Sequence, residues 1–324
     1  MSLKIINVSK RFENKLILRE VSFEIECGSI FGILGANGAG KTTLLRIISG
    51  AEKADSGNIF LDSKEITGAS EKDRNFSFPQ KNPDSAWSSV FKKSKQTELS
   101  EGEDQNLIIK QLFETTQYAV LVDNPFSNLN EDLRDEALHH LQQLTKEKNL
   151  PVVFVTNDYK EAFKVCDKIG VLHNGGIAQI GTPRELYENP ANTAAARALG
   201  RNNFIRARRI TFNNQQAQEF QTIEGEHRLL IGKTEKRALG AITNDVILAI
   251  RPEHISLSFG ASFPEDNLLK AEIVGVQYLG ATTRIRLSAN GLRLEALVLR
   301  LVGLNVGDEC MVGLPPDRIS VLKD

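Results

Sequence analysis

The sequence contains little cysteine: three residues among 324, namely Cys27, Cys166 and Cys310. Their odd number and wide spacing exclude a disulfide framework or a Cys-x-x-Cys metal site and are typical of a reducing cytoplasm. No apolar run approaches the roughly 18 residues that a membrane helix needs, and the first four residues show no signal-peptide pattern. The formal net charge of −1 gives no overall attraction to nucleic acid or to an anionic membrane. We therefore expect a globular protein that a partner must anchor if it works at a membrane.

The chain is organised around one glycine-rich stretch between an apolar run at 30–34 and a short helical pattern that ends at Gly50. The stretch has the pattern Gly-x-x-x-x-Gly-Lys-Ser/Thr of a phosphate loop. In such a loop, backbone N–H groups and the helix N-terminus face a phosphate chain, while the lysine reaches the terminal phosphates and the hydroxyl ligates magnesium. The alternative is a glycine-rich turn that binds nothing, but the flanking strand and helix favour a nucleoside triphosphate site. The residues predicted to contact it are Gly35, Ala36, Asn37, Gly38, Ala39, Gly40, Lys41, Thr42 and Thr43.

The segments on either side of this loop predict an α/β nucleotide-binding core. Continuous apolar runs at 118–122 and 151–155 end at Asp123 and Thr156, which favours parallel strands covered on both faces. Helical patterns lie between them and at 158–166, where Ala162, Phe163 and Cys166 are predicted to face inward. A hairpin is predicted at 169–180, around an Asn-Gly-Gly turn. Residues 3–34 read as antiparallel strands that lead into the phosphate-loop strand.

From about residue 205 the pattern changes to short strands without helical periodicity. An Asn-Gly pair at 290–291 predicts a hairpin, and residues 250–257 resemble residues 314–321 at an offset of 64 (316 minus 252). Such a repeat predicts a small β-barrel or a pair of barrel halves. The chain of 324 residues is long enough for two domains. We predict an ATP-binding domain at 1–203 and a β domain at 204–324.

These motifs resemble the ATPase subunits of ABC transporters, in the group of importers with a C-terminal TOBE/MOP-type domain. The loop 35–42 matches the family's Walker A motif, residues 120–123 match Walker B, and Gln80 matches the Q-loop glutamine. The resemblance therefore assigns magnesium to Thr42, Gln80 and Asp123. By position alone Phe12 is better read as a core side chain, but the resemblance makes it the adenine-stacking aromatic. The implied fold is a P-loop ABC-type domain with a helical subdomain shortened to residues 80–99, followed by a smaller all-β, OB-like domain. The implied ligands are ATP and Mg²⁺.

Several positions depart from the family pattern. The catalytic glutamate that follows the Walker B aspartate is Asn124, and the switch histidine is Asn157. The signature motif reads Leu-Ser-Glu-Gly-Glu at 99–103, which leaves Ser100 and Gly102 as predicted nucleotide contacts. An amide can orient a water molecule but cannot take its proton, and losing a general base typically costs about two to four powers of ten in rate. The predicted catalytic positions are Lys41, Gln80, Asp123, Asn124 and Asn157, the last two degenerate.

We therefore predict the ATP-binding subunit of an ABC import system that binds ATP·Mg, with hydrolysis weak or lost. The resemblance implies a dimer, with itself or with a competent ATPase, and a membrane permease as partner. The protein would then be cytoplasmic and peripheral on the inner face of the cell membrane. The alternative is a pseudo-ATPase that senses a nucleotide or ligand without a permease, which the shortened segment supports. Nucleic acid is not expected, because the arginines near 201–209 are better explained as a solvated strand face.

Overall fold

The computed structural model describes residues 2–78, 109–116, 118–126, 129–210, 218–232, 245–259, 267–299 and 303–322. It divides the chain into two compact units, 1–186 and 187–324. The predicted domain boundary after residue 203 stays a prediction. Three predicted site residues, Gln80, Ser100 and Gly102, lie outside the described residues, as does the segment 80–99.

The first unit contains strands and helices in alternation, and residues 109–114 are also helical. Its elements are β1 (Ser2–Phe12), β2 (Lys15–Glu26), β3 (Ile30–Leu34), α1 (Lys41–Ser49), β4 (Ser56–Leu61), β5 (Lys64–Glu65), α2 (Glu71–Arg74), β6 (Val120–Asp123), α3 (Glu131–Lys148), β7 (Val152–Thr156), α4 (Tyr159–Val165), β8 (Lys168–His173) and β9 (Gly176–Gly181), and helix α5 (Pro183–Glu188) follows.

A five-stranded sheet in the order β6-β7-β3-β8-β9 forms the centre of this unit. Strands β6, β7, β3 and β8 run parallel, and β9 returns antiparallel through a turn in which Asn174 and Gly175 have φ of 48° and 80°. All residues of β3 and β7 are buried, because helices and a second sheet can cover both faces of such apolar strands. The predicted parallel core and its hairpin are confirmed. The carboxyl ends of β6 and β7 and the loop after β3 consequently meet at one edge.

A four-stranded antiparallel sheet, β2-β1-β4-β5, completes the first unit. Its strands β1 and β2 are the antiparallel strands that the sequence predicts before the phosphate-loop strand. Its inward side chains share one apolar core with β3 and α1. In α4, Ala162 and Cys166 are buried as predicted, but the prediction for Phe163 is wrong. That ring is only half-buried and packs edge-on against Tyr159 at 5.5 Å between ring centroids, while Val165 takes the buried position.

Helix α1 is held at both ends. It begins after Gly40, whose φ of 102° is open to glycine, and a Cβ there would come within 2.9 Å of Leu18. It ends at Gly50 with φ of 88°, as the sequence predicts. Arg74 is 4% exposed and donates hydrogen bonds of 2.7 Å to the carbonyls of Ile47 and Ile48, so a cation satisfies the helix C-terminus.

The second unit is built from antiparallel strands after a short helix. Its elements are α6 (Thr193–Ala198), β10 (Asn203–Arg209), β11 (Gln218–Thr222), β12 (Arg228–Ile231), β13 (Asp245–Ile250), β14 (Ser256–Ser258), β15 (Asn267–Tyr278), β16 (Thr282–Ala289), β17 (Leu292–Leu299), β18 (Glu309–Leu314) and β19 (Ser320–Leu322), with 3₁₀ turns at Pro252–His254 and Pro316–Arg318. They form two five-stranded sheets, β12-β11-β10-β13-β19 and β14-β18-β15-β16-β17. The predicted all-β region is confirmed, in the form of two sheets around one core.

The sequence repeat is a structural repeat. Each copy is a strand, a 3₁₀ turn and a short strand, and the short strand crosses to the other copy's sheet. Leu248 therefore pairs with Val321 in the first sheet, and Leu257 pairs with Val312 in the second, with the same offset of 64 (312 minus 248). This exchange ties the two halves of the unit together.

Candidate functional site

The phosphate loop connects β3 to α1, with Lys41 as the first residue of the helix. The Lys41 ammonium donates to the carbonyls of Gly35 and Ala36 at 2.7 and 2.9 Å. Burial lowers the pKa of this lysine, and the nearby Asp123 carboxylate opposes that shift. The loop lies too close to β8 for a side chain at Gly35, since a Cβ there would come within 2.5 Å of the Leu172 carbonyl oxygen. A buried cation at a helix N-terminus is an electrostatic environment suited to a phosphate chain.

The end of β6 faces the start of α1. The Thr42 hydroxyl donates to Asp123 Oδ2 at 2.6 Å, which places a hydroxyl and a carboxylate side by side. These are the hard oxygen ligands that Mg²⁺ prefers when phosphate and water supply the rest. Among the described residues, no group of three or more His, Cys, Asp or Glu side chains could hold a metal ion.

Two asparagine amides continue the contacts from Asp123 to the phosphate loop. Asn124 has φ of 45°; its Nδ2 donates to Asp123 Oδ1 at 3.2 Å, and its Oδ1 accepts from the Asn157 N–H at 3.2 Å. Asn157 Nδ2 then donates to Asn37 Oδ1 in the phosphate loop at 2.7 Å. The predicted positions 37, 123, 124 and 157 are thus one hydrogen-bonded row. We describe the row together with its neighbours Lys41 and Thr42: Lys41, Thr42 and Asp123 are called its binding end, and Asn124 and Asn157 its amide end. The row contains a single carboxylate, already engaged by Thr42 and Asn124.

The remaining predicted contact, Phe12, lies apart from this row, at the end of β1 in the antiparallel sheet. Its ring is 43% exposed, and the Lys10 ammonium stands 5.0 Å from the ring centroid. The sequence left two interpretations of Phe12, a core side chain and an adenine-stacking ring. A ring with this exposure could stack on a base.

Sequence reasoning missed a second group of residues behind the row. The Thr156 hydroxyl donates to the buried Glu161 carboxylate at 2.6 Å, and Arg134 Nε lies 3.4 Å from the same carboxylate. Arg134 also donates to the Leu129 carbonyl at 2.8 Å, which joins the chain after β6 to the turn after β7. No local pattern marks this contact, because α3 and α4 meet only after folding.

Comparison with known proteins shows which protein families the chain is similar to. A family model for ABC transporters matches residues 18–86, and a model for TOBE domains matches residues 248–322. The spermidine/putrescine import ATP-binding protein PotA of Fusobacterium nucleatum is 31% identical, over 79% of this chain and 76% of that protein. The sulfate/thiosulfate import protein CysA of Pseudomonas putida is 30% identical, over 90% and 88%. The molybdate/tungstate import protein WtpC of Pyrococcus horikoshii is 26% identical, over 98% and 99%.

One solved structure supports the fold. The ATP-binding cassette MJ1267 of an ABC transporter, in its ADP conformation, aligns with a TM-score of 0.50 at 22% identity, covering 59% of this chain and 96% of that one. The fold and the site define a P-loop nucleotide-binding protein with a separate β unit. The chain belongs to the family of ABC transporter ATP-binding subunits that carry a C-terminal TOBE domain. No helix in the described part of the chain is long and apolar enough to cross a membrane.

Proposed function

We propose that this chain binds ATP·Mg as part of an ABC import system and hydrolyses it very slowly or not at all. The observation that carries the proposal is the row itself. Its binding end has the Lys41 ammonium and the Thr42–Asp123 pair, whereas its amide end has only the amides of Asn124 and Asn157. Binding a triphosphate needs charge complementarity, which the first end supplies. Hydrolysis also needs a proton acceptor for the attacking water, which the second end lacks.

Mg²⁺ would be held by Thr42 and Asp123, with Gln80 as the third proposed ligand. When bound, the ion would neutralise charge that develops on the phosphate oxygens. Lys41 binds and orients the terminal phosphates, and the loop backbone excludes water from one side of them. Phe12, Ser100 and Gly102 complete the proposed nucleotide contacts.

The amides determine what is left of the chemistry. Asn124 uses one of its two N–H donors on Asp123 and one of its two lone pairs on the Asn157 N–H, so its Oδ1 retains one lone pair for a water molecule. Such an acceptor orients a water molecule without deprotonating it. Asn157 can donate to a phosphate oxygen in place of Asn37, but as an amide it carries no charge. An amide in place of a carboxylate at 124, and in place of an imidazole at 157, lowers the rate of hydrolysis more than the affinity for ATP.

The transport role rests on the relatives, which are named as import proteins for polyamines and for the oxyanions sulfate and molybdate. We propose the same role for this chain, in a dimer with itself or with a competent ATPase, bound to a membrane permease at the inner face of the membrane. Co-purification with a permease from detergent extracts is expected. A dimer that never fractionates with membranes would favour the alternative of an uncoupled nucleotide sensor.

The nucleotide proposal is tested by titrating a fluorescent ATP analogue into the pure protein beside a phosphate-release assay. We expect saturable binding that weakens when EDTA removes magnesium, with phosphate release at least about 100-fold below that of a competent family member. Release at the rate of a competent member would contradict the proposal, because it would show that another residue replaces the missing base.

A further inference from the structure

The repeat in the β unit allows each residue of one half to be matched with its structural counterpart in the other. Phe220 pairs with Leu229 across β11 and β12, and Leu287 pairs with Leu294 across β16 and β17; all four are buried. Two buried asparagines confirm the match. Asn267 binds the backbone of Leu230 through both ends of its amide, and Asn203 binds the backbone of Glu295 and the Ile250 carbonyl in the same way.

The match shows a charge reversal on the outward face. Glu219 precedes Phe220, and Arg228 precedes Leu229; these two side chains form an ion pair of 4.0 Å in the first half. The corresponding residues of the second half are Arg286 and Arg293. An acid–base pair in one copy is therefore two arginines in the other.

The second half does have an acid on this face, Glu295 at the position of Leu230, but it does not pair with either of these two arginines. Across the described residues, neither Arg286 nor Arg293 lies within 4.0 Å of a carboxylate oxygen. Glu295 stands opposite Arg286 in the ladder, but its carboxylate lies 3.2 Å from Arg201 and 3.8 Å from Arg284. Like charges on neighbouring strands are destabilising unless a counter-charge is present.

The arginines line a groove of about 460 Å³, together with Ser288, Val274 and Asn203. Opposite Arg286 the neighbouring strand has Gly275, where a Cβ would come within 2.9 Å of the guanidinium Nε. The missing side chain lets the guanidinium lie against the strand. The buried amide of Asn203 fixes the backbone at Glu295, so the wall of the groove is held by hydrogen bonds. The volume equals that of roughly 15 water molecules at about 30 Å³ each, more than one tetrahedral anion needs.

We propose that this groove binds a small polyanion that carries at least two carboxylate or phosphate groups. Arg286 and Arg293 each offer a planar fork of donors that matches such groups. The negative charge of Glu295 is offset by Arg201 and Arg284, so the groove keeps an excess of positive charge. All residues of the site belong to the β unit, so its occupancy can be tested without nucleotide at the phosphate loop.

The test is calorimetric titration of the full chain with citrate, with acetate as the singly charged comparison, in a buffer free of phosphate and magnesium. The Lys41→Ala variant serves as the common background, since it removes the cation of the phosphate loop. We expect saturable citrate binding and an affinity for acetate at least about 100-fold weaker, because one carboxylate cannot engage both forks.

Arg293→Gln removes one fork without placing a new charge opposite Glu295, so the variant is expected to fold as before and to bind citrate at least about tenfold more weakly. Arg228→Gln, the matched change in the first half, is expected to leave citrate binding unchanged. An unchanged citrate affinity in Arg293→Gln, equal affinity for acetate, or an equal loss in Arg228→Gln would each overturn the proposal. Thermal unfolding of both variants shows whether either has lost its fold.

Discussion

The two ends of the row at the edge of the parallel sheet have the same backbone support and different chemistry. At one end, Lys41, Thr42 and Asp123 follow β3 and β6 and bring an ammonium, a hydroxyl and a carboxylate together. At the other, Asn124 and Asn157 follow β6 and β7 and bring only amides. The comparison teaches that placement and reactivity are separable. Strand ends and turns position a side chain, whereas its functional group decides whether it binds charge or moves a proton.

The largest expected effect is at the binding end. Lys41→Ala should weaken ATP binding by about 100-fold, because the buried ammonium and its charge-assisted contacts to phosphate are lost. A fluorescent ATP analogue measures the change. Lys146→Ala, on the exposed face of α3, is the control and should leave the affinity unchanged. If Lys41→Ala bound the analogue with unchanged affinity, the ammonium charge would not be what distinguishes the binding end from the amide end.

The helix that supports the binding end can be weakened separately. Arg74→Met removes the donors to Ile47 and Ile48 and leaves the end of α1 without its cation. We expect a loss of about 2–3 kcal/mol in the free energy of unfolding, measured by denaturant titration. Lys72→Met, exposed on the same short helix, should cost less than about 0.5 kcal/mol. Equal losses would show that burial of Arg74 contributes nothing.

At the amide end, a carboxylate should bring back part of the missing chemistry. Asn124→Glu is expected to raise phosphate release at least about tenfold, short of the full effect of a general base because Asn157 is unchanged. Asn124→Gln lengthens the side chain by the same amount and keeps the amide, so it should not raise the rate. If both variants released phosphate equally, proton transfer would not be what limits this site.

The smallest expected effect concerns the contact between the two ends. Asn157→Ala removes the 2.7 Å hydrogen bond to Asn37. We expect ATP affinity to fall by about threefold, as for the loss of one exposed neutral hydrogen bond. Asn37→Ala should have the same effect, and the double variant should be no worse than either single one. Additive losses in this double-mutant cycle would indicate that each amide contacts the nucleotide independently.

The two halves of the β unit offer a second comparison of the same kind. Its halves share strand order, the exchanged short strands and the buried asparagines at 203 and 267, yet Glu219 in one corresponds to Arg286 in the other. The apolar alternation that forms each sheet does not depend on the outward residues. Charge on that face is consequently free to differ between the copies.

Much of the fold and of the candidate site was predictable from particular residues. The phosphate loop is local, so its pattern predicted both the loop and the start of α1, and Gly50 predicted the end of that helix. Asn174-Gly175 and Asn290-Gly291 predicted their hairpins, because few other residues adopt positive φ. Phe163 was misplaced because helical period alone does not say how far an apolar face extends.

The sequence by itself determined which functional groups stand at each position of the site: an ammonium, a hydroxyl and a carboxylate at 41, 42 and 123, and amides at 124 and 157. It also determined the order of strands and helices, since periodicity and turn residues act over a few neighbours. Only the tertiary structure decided that Asn157 reaches Asn37, that Arg134 joins two turns, and that Arg286 and Arg293 share a groove. These contacts join residues far apart in the chain, and packing of helices and strands, rather than local preference, sets their distances.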